Sequence, residues 1–458
     1  MNRFLVSAAH KSSGKTMISI GLAAAFSRRG QTVAAFKKGP DYIDPIWLKA
    51  ATGQPCWNLD FFTMSQKEIL DCFRRQAFGA SIALVEGNKG LHDGLDVGGS
   101  DSTAALAKLL DCPVILVLDV AGITRGIVPL IEGYQAFDPH VNLVGVILNK
   151  VGGTRHEEKL NAAIRHYSDL PILGSIGRSD ALHIEERHLG LVPSTERDDT
   201  NTRVQQLADQ IDQDVDLDRL LELTVRPEWK DIKLKSVGMM PMSDLRIGIA
   251  QDAAFNFYYP DDLAAFRQAG AELVTIDTLQ DTFLPPVDGL FFGGGFPECF
   301  IEPLSKNISL HHDIRDFISN GGPTYAECGG LMYLCRSISW QGMEGEMVGV
   351  IPADATMEPK PVGRGYVKFR PTTAHPWPGI ATANPRQYCA HEFHHSRLEH
   401  LDPDLKRALH ITRGFGIDGR TDGIVCQNLL ATYVHQRNVQ ANPWVHHFVD
   451  FVRSCRLS

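Results

Sequence analysis

The first half of the chain alternates short apolar runs with longer stretches of helical period. Phe4-Leu5-Val6 is the first run, and Val33–Phe36, Ile82–Val85, Val114–Leu118 and Leu143–Leu148 follow. They are continuous and rich in Val, Ile and Leu, which is the pattern of strands covered on both faces. Between the first two runs, Ile18, Leu22 and Phe26 recur every fourth residue, and the segment Met17–Arg29 stops at Gly30. That spacing predicts a helix closed by a C-terminal glycine. Alternation of this kind predicts a parallel α/β sheet.

A second pattern of the same type starts at Leu245. Arg246-Ile247-Gly248-Ile249-Ala250 reads as a strand, and a helix follows Asp261-Asp262 and ends near Gly270. Further strands are expected at Leu273–Ile276, Leu290–Phe292 and Thr324–Ala326. Between the two patterns, Asp209–Glu222 is acidic and helix-like. Val225–Asp244 then carries Pro227, Lys230, Lys233, Lys235, Gly238 and Pro241 without a period. Such a stretch reads as a linker. The expected organisation is a first domain over 1–225, a linker over 226–244 and a second domain over 245–458.

Composition narrows this picture. At about 150 residues per domain, 458 residues suggest two or three domains. The formal charge of −9 argues against a broad nucleic-acid surface, which needs clustered cations. It leaves room for a local basic pocket holding one small polyanion. The nine cysteines are scattered and contain no C-x-x-C pair, which predicts a reduced, cytoplasmic protein. Phe4-Leu5-Val6 is too short for a signal h-region, and no run approaches the ~18 apolar residues of a membrane span.

Candidate chemistry begins at the first strand–helix junction. Ala9-His10-Lys11-Ser12-Ser13-Gly14-Lys15-Thr16 has the spacing of a phosphate loop, with Ala9 in place of the first glycine. Such a loop turns backbone N–H groups toward phosphate at a helix N-terminus. Lys15 would reach the β and γ phosphates and Thr16 would hold Mg²⁺. Ala at position 9 takes positive φ less freely than Gly, so the loop's backbone path is less firmly indicated there. Two apolar strands end in acids, Glu86 and Asp119, on the ligand-gathering carboxyl edge of the sheet. Each could hold Mg²⁺ or simply cap the next helix. The loop Lys37-Lys38-Gly39-Pro40-Asp41-Tyr42-Ile43-Asp44-Pro45 offers two cations and two carboxylates, either to orient a carboxylate substrate or as a solvated turn.

In the second half, Thr324-Tyr325-Ala326-Glu327-Cys328-Gly329-Gly330 reads as strand, sharp turn and helix. That puts Cys328 at a nucleophile elbow, where a helix N-terminus favours thiolate. The Gly329 N–H is a candidate oxyanion donor, and Gly293-Gly294-Gly295 after another strand is a source of the second. His435, ending a late β-like run, is the candidate base. The competing reading of Cys328 is a packing residue. His391-Glu392-Phe393-His394-His395 matches the zinc-protease spacing H-E-x-x-H. Its neighbours favour extended structure, so His391 and His395 would stand two pleats apart on one strand face. Substrate contact or a buried polar network is expected there instead of zinc hydrolysis.

Taken in order, these segments closely resemble the cobyrinate a,c-diamide synthase family. The matching stretches are Gly39–Pro45, Glu86-Gly87 with Gly90-Leu91-His92-Asp93-Gly94, Val146–Lys150, Asp252–Pro260, Gly293–Glu298, the Cys328 elbow, His391–His394 and Tyr433-Val434-His435. The resemblance covers nearly the whole chain. It implies an ATP-binding, dethiobiotin synthetase-like parallel-sheet domain followed by a class I-type glutamine amidotransferase domain. It also implies ATP- and glutamine-dependent amidation of the a and c carboxylates of a corrinoid or related tetrapyrrole through an acyl phosphate. Carried across, Gly14, Lys15 and Thr16 bind the triphosphate, and Asn149 lies near the adenine. Thr16, Asp41 and Glu86 surround Mg²⁺, and Asp41, Tyr42, Asp44 and Asp93 face the substrate. Cys328 and His435 hydrolyse glutamine, with Gly294, Gly295 and Gly329 at the oxyanion. The third triad acid, usually two residues after the histidine, is replaced by Arg437, so a Cys–His dyad is implied.

The partners implied are ATP, glutamine and a tetrapyrrole polycarboxylate, without nucleic acid or membrane; a homodimer is compatible with the resemblance. The chain departs from the family's pattern at His10-Lys11-Ser12-Ser13, Asn88-Lys89 and Trp47-Leu48, all flanking the ATP and substrate side. These departures keep a sirohaem-amidating branch open. Cobyric acid synthase-like multiple amidation is a second alternative, and a partition-type regulatory ATPase a third. That last class carries a lysine where His10 stands and has no thiol hydrolase half.

Overall fold

The computed structural model describes residues 1–178, 186–187, 190–197, 199–229, 242–380 and 386–457. The chain divides into two compact units, Met1–Leu234 and Lys235–Ser458. Most of the expected linker, residues 230–241, lies outside the described residues.

The first unit runs β1 (Asn2–Ala8), α1 (Lys15–Arg28), β2 (Val33–Lys38), α2 (Ile43–Thr52), β3 (Cys56–Leu59), α3 (Gln66–Ala77), β4 (Ile82–Glu86) and α4 (Thr103–Leu110). It continues with β5 (Val114–Asp119), α5 (Ile127–Phe137), β6 (Leu143–Val151), α6 (Thr154–Tyr167) and β7 (Ile172–Gly177). After a two-residue pair, β8 (Glu186–Arg187) and β9 (Gly190–Leu191), come α7 (Thr200–Asp214) and α8 (Leu217–Thr224). Strands β1 to β7 form one sheet in the order β3-β2-β4-β1-β5-β6-β7. Every neighbouring pair in it is parallel.

The continuous Val/Ile/Leu runs are thus strands with helices between them, as their pattern predicts. β1, β4 and β5 lie at the middle of the sheet, and Phe4, Leu5, Leu84, Val85, Ile115 and Leu116 are fully buried. Helix α1 is apolar on most sides because α7 covers it. A Cβ on Gly21 would come within 2.5 Å of Ile211, so glycine sets how closely the two helices approach. The acidic stretch expected as one helix is two. Val215 leaves the helical conformation, and the Asp216 carboxylate accepts the Arg219 N–H at 2.9 Å to start α8.

The second unit opens with β10 (Leu245–Ala250), β11 (Phe255–Phe257), α9 (Pro260–Gln268), β12 (Ala271–Ile276), β13 (Gly289–Phe292) and β14 (Gly294–Gly295). Then come α10 (Ile301–Lys306), α11 (Ile308–Ser319), β15 (Thr324–Glu327) and α12 (Gly329–Leu334). A β-rich stretch follows: β16 (Cys335–Trp340), β17 (Met343–Glu346), β18 (Ile351–Met357), β19 (Gly363–Pro371), β20 (Tyr388–His394) and β21 (Ser396–Glu399). The unit closes with β22 (Lys406–Arg413), β23 (Thr421–Cys426), β24 (Leu429–Thr432) and α13 (Trp444–Leu457). The main sheet has nine strands in the order β12-β10-β13-β15-β24-β23-β22-β19-β20. Its first five strands are parallel and the rest antiparallel.

Successive residues of a strand face opposite sides of the sheet. Accordingly, Phe291 packs with Tyr325, Trp377 and Trp444 in one core, while Phe292 packs with Leu331 and Tyr333 in the other. All nine cysteines are free. No helix among the described residues is long and apolar enough to cross a membrane.

Candidate active sites of the two units

In the first unit the loop after β1 runs at the middle of the sheet. Its left-handed turns fall on Ser12 (φ 64°) and Gly14 (φ 86°), and Ala9 is not among the residues of positive φ. Position 9 therefore asks for no left-handed backbone, and Ala serves there in place of glycine. Its N–H donates to the Val117 carbonyl and its own carbonyl accepts the Tyr134 hydroxyl at 2.7 Å, so two neighbours fix its path. Gly14 has a double reason to be glycine. Its φ is left-handed, and a Cβ there would stand 2.1 Å from the Asn149 side-chain nitrogen. That nitrogen donates to the Ser13 carbonyl at 2.9 Å, which places Asn149, expected near the adenine, as a brace under the loop.

Lys15, Thr16, Lys37, Asp41, Asp44 and Glu86 converge beyond the loop. One Glu86 oxygen accepts from Thr16 (2.7 Å), Lys37 (3.0 Å) and Lys15 (3.1 Å). Lys37 also pairs with Asp44, which in turn accepts the Thr16 hydroxyl at 3.3 Å. Asp41 lies 3.7 Å from Lys37 and caps the start of α2 through the Ile43 and Asp44 N–H groups. Burial alone would pull the Lys37 ammonium down; the carboxylates of Asp44, Glu86 and Asp41 outweigh it and hold it well above its ordinary range. Lys38, on the opposite face of β2, is pulled down by burial.

The other oxygen of Glu86 is buried and has no hydrogen-bond partner. An acceptor left bare in a fully buried carboxylate calls for a cation. The hydroxyl and carboxylate oxygens around it are hard donors of the kind Mg²⁺ takes, and Mg²⁺ needs only one or two carboxylates when phosphate supplies the rest. Among the described residues no group of three or more His, Cys, Asp or Glu is placed to hold a metal by itself.

Three further expected residues take other places. Asp93 accepts the Gly90 N–H at 2.9 Å and shapes its own loop, which borders the phosphate loop through the Leu91 N–H on the Ala8 carbonyl. Tyr42 occupies the N-cap position of α2 without a side-chain capping bond. Asp119 pairs with Lys150 at 2.7 Å instead of joining Glu86. Burial pushes the Asp119 carboxyl up, and Lys150 and the Ala121 N–H bring it below its usual value.

In the second unit the turn from β15 to α12 is sharp. Cys328 has φ 48° and ψ −100°, a conformation that L-residues rarely adopt and that the surrounding sheet must enforce. It is held by its own N–H on the Thr432 carbonyl at 2.7 Å, and its thiol points at the Phe393 carbonyl at 3.8 Å. His435 lies just past the end of β24, beside β15 in the sheet. A Cβ on Gly294 would come within 2.6 Å of the His435 ring, and one on Gly329 within 3.0 Å of the Gly295 nitrogen. The structure thus brings Cys328, His435, Gly294, Gly295 and Gly329 together. Burial opposes charge on His435, but the Cys328 hydrogen bond and charge and the Glu327 carboxylate hold the ring above the usual imidazole range.

The H-E-x-x-H segment is extended, as expected. The strand β20 stops at His394, however, so His395 sits in the break before β21 and does not continue the face of His391. Its ring meets the Glu358 carbonyl at 3.1 Å. Glu392 accepts the Phe415 and Gly416 N–H groups at 2.6 and 2.7 Å, and His394 stacks on Tyr433 with ring centroids 3.8 Å apart. These are members of a buried polar network. His391 does more: its ring stacks on His435 at 4.9 Å, and the two backbones pair in both directions. Burial drives its imidazole well below the ordinary range, aided by the charges of His435 and Arg437. Sequence reasoning assigned His391 no such place, because only the fold of β20 beside the end of β24 creates it.

Two family models match. Residues 5–192 fit the CobQ/CobB/MinD/ParA nucleotide binding domain, and residues 246–442 fit the CobB/CobQ-like glutamine amidotransferase domain. The chain is 44% identical to a cobyrinate a,c-diamide synthase of Magnetococcus marinus, covering 98% of this chain and 97% of that one. It is 40% identical to the Archaeoglobus fulgidus protein of that name (94% and 93% covered) and 37% identical to that of Methanosarcina barkeri (100% and 97% covered). With a nucleotide-binding unit, an amidotransferase unit and such similarity over its length, the chain belongs to the cobyrinate a,c-diamide synthase family of glutamine-dependent amidoligases.

Proposed function

We propose that this protein uses ATP and glutamine to amidate the a and c side-chain carboxylates of cobyrinate. The observation that carries the reading is the pairing of two sites in one chain. One is a phosphate loop facing the cluster of Lys15, Thr16, Lys37, Asp44 and Glu86. The other is a thiol elbow beside a buried histidine. We assign the first role to residues 1–225 and the second to 245–458.

In the amidotransferase site, the Cys328 thiolate attacks the side-chain carbonyl of glutamine. The Gly329 N–H, with Gly294 or Gly295, holds the oxyanion, and His435 delivers the proton that lets ammonia leave. Water then attacks the thioester, returning the thiol and releasing glutamate. In the other site, Gly14 shapes the loop that cradles the triphosphate, and Lys15 spans its β and γ phosphates. Lys37 and Lys15, now gathered on Glu86, are placed to follow negative charge as phosphate moves to the substrate carboxylate. A carboxylate is a poor electrophile until one oxygen becomes a leaving group, and the acyl phosphate supplies one. Thr16, the bare Glu86 oxygen and Asp41 would hold Mg²⁺, which supplies charge neutralisation at the transferred phosphoryl group. Asp44, Tyr42 and Asp93 border the substrate side, and Asn149 stiffens the floor on which the nucleotide lies.

The shared name of the relatives favours cobyrinate over the sirohaem alternative and over multiple amidation, and the amidotransferase unit sets aside a partition-type ATPase. Incubation with ATP, glutamine and, separately, cobyrinate, hydrogenobyrinate, sirohaem and nickel-sirohydrochlorin tests this. The expected product by mass spectrometry is a diamide of cobyrinate. A diamide from sirohaem alone, or more than two amides on cobyrinate, sinks the assignment.

A further inference from the structure

Arg437 stands where the resemblance leads one to look for a triad acid, and it pairs with Asp261 at 2.6 Å. The histidine nevertheless has a carboxylate beside it. Glu327, the last residue of β15 and the one directly before the nucleophile, places an oxygen 3.5 Å from Nδ1 of His435. We propose that Glu327 is the positioning acid of the glutaminase site, so that the strand supplying the nucleophile also supplies the group that orients its base. The proposal rests on the amidotransferase reading above.

The geometry follows from the sheet. Glu327 is paired with Thr432 across the parallel β15–β24 contact, and the chain beyond Thr432 turns so that His435 comes back beside it. That turn is fixed by the Asp422 carboxylate, which accepts the Tyr433 and Val434 N–H groups at 3.1 and 2.8 Å. Glu327 is only 2% exposed, yet its oxygens are well partnered. Its other oxygen accepts the Tyr325 hydroxyl at 2.7 Å and the Gln436 N–H at 2.8 Å. Tyr325 in turn accepts from the Gln436 side chain at 2.9 Å, and Gln436 accepts from Asn442 at 3.1 Å. This network locks one oxygen and aims the second at His435. With Nδ1 on the Glu327 side, the same ring interacts with the Cys328 thiol.

The charged and titratable groups facing His435 are Cys328 from the elbow, Glu327 from β15 and His391 from β20. Around these, Arg437 acts on His391, and Glu327 acts on Asp262 and Tyr258. Of Cys328, Glu327 and His391, Glu327 is the carboxyl group, and its oxygen stands at Nδ1 of His435. It therefore favours the proton staying on His435.

The test uses the full chain with Glu327→Gln, which keeps the shape and leaves an oxygen for Tyr325 and Gln436. Glutamine-driven amidation should fall by about 10²-fold, the scale of a lost orienting partner of a general base. The fall should lie in kcat, with the alkaline limb of its pH profile moved to lower pH. Iodoacetamide should alkylate Cys328 more slowly at neutral pH. Ammonia-driven amidation should stay within about two-fold of the parent. Glu327→Asp should recover part of the loss. Tyr325→Phe removes a bond of the network but not the charge, and should leave the pH limb in place. A Glu327→Gln enzyme with parental glutamine turnover and pH profile overturns the proposal, and so does a Tyr325→Phe enzyme with the same pH shift. A parent that makes no amide from glutamine overturns the amidotransferase reading itself.

Discussion

Both units put a sharp strand-to-helix turn at the carboxyl end of a parallel strand, yet they place the backbone distortion differently. In the first unit the left-handed positions are Ser12 and Gly14, next to Lys15 and Thr16. In the second the distorted residue is Cys328 itself. The surroundings differ as well. The phosphate loop faces three cationic or hydroxyl groups gathered on one Glu86 oxygen, a cluster suited to a polyanion. The thiol elbow faces two stacked histidines and one carboxylate, all buried, a setting suited to moving one proton. The lesson is that one topological position serves two chemistries. A loop that must wrap phosphate needs donors from consecutive N–H groups and flexible ammoniums. An elbow that must present one sulfur needs a rigid turn.

The largest effects should separate the two regions cleanly. Cys328→Ala should lower glutamine-driven amidation by at least ~10³-fold, as removal of a nucleophile does, while ammonia-driven amidation stays near parental. Loss of both rates would show that the elbow is structural. Lys15→Ala should lower both rates by roughly 10²–10³-fold, because activation of the carboxylate precedes either nitrogen source. Retention of the ammonia-driven rate would break the assignment of the phosphate loop.

Gly14→Ala comes next. The left-handed backbone and the contact with Asn149 should destabilise the first unit by about 1–3 kcal/mol and weaken nucleotide binding. Thermal unfolding with and without ATP reads both, and an unchanged nucleotide affinity would contradict the loop's path. The smallest and most informative change is Asp422→Asn. Burial holds this carboxyl up at about 6 even though it accepts the Val434, Tyr433 and Gly423 N–H groups. A carboxyl raised on folding keeps a proton that the unfolded chain has shed. Parent stability should therefore decline as pH rises from about 4 to about 6. Asparagine cannot titrate, so that slope should vanish in the variant. At neutral pH the mismatched amide should cost about 1–3 kcal/mol. Calorimetry at pH 4.5 and pH 7 decides; equal slopes in parent and variant would remove Asp422 as the cause.

Much of this was legible along the chain. The apolar runs at Phe4–Val6, Ile82–Val85 and Val114–Leu118 read as strands covered on both sides, and Gly-Lys-Thr after the first of them announced a phosphate loop. Cys328 before two glycines announced the elbow, since only a tight turn needs small residues there. These are local signals, carried by consecutive residues. The order of the strands, the pairing of Asp119 with Lys150 in place of a metal, and the bare oxygen of Glu86 were not legible. Each depends on which strand ends become neighbours. Likewise, the sequence displayed Glu327 beside Cys328 and His391 in a misleading motif, but it held no sign that either meets His435. That meeting is set by the β15–β24 register and the backbone pairing of His391 with His435, which join residues more than forty positions apart. Local chemistry was written in the sequence because neighbouring residues create it; the partners of His435 were decided by tertiary structure because only packing chooses which distant side chains share a dry, low-dielectric space.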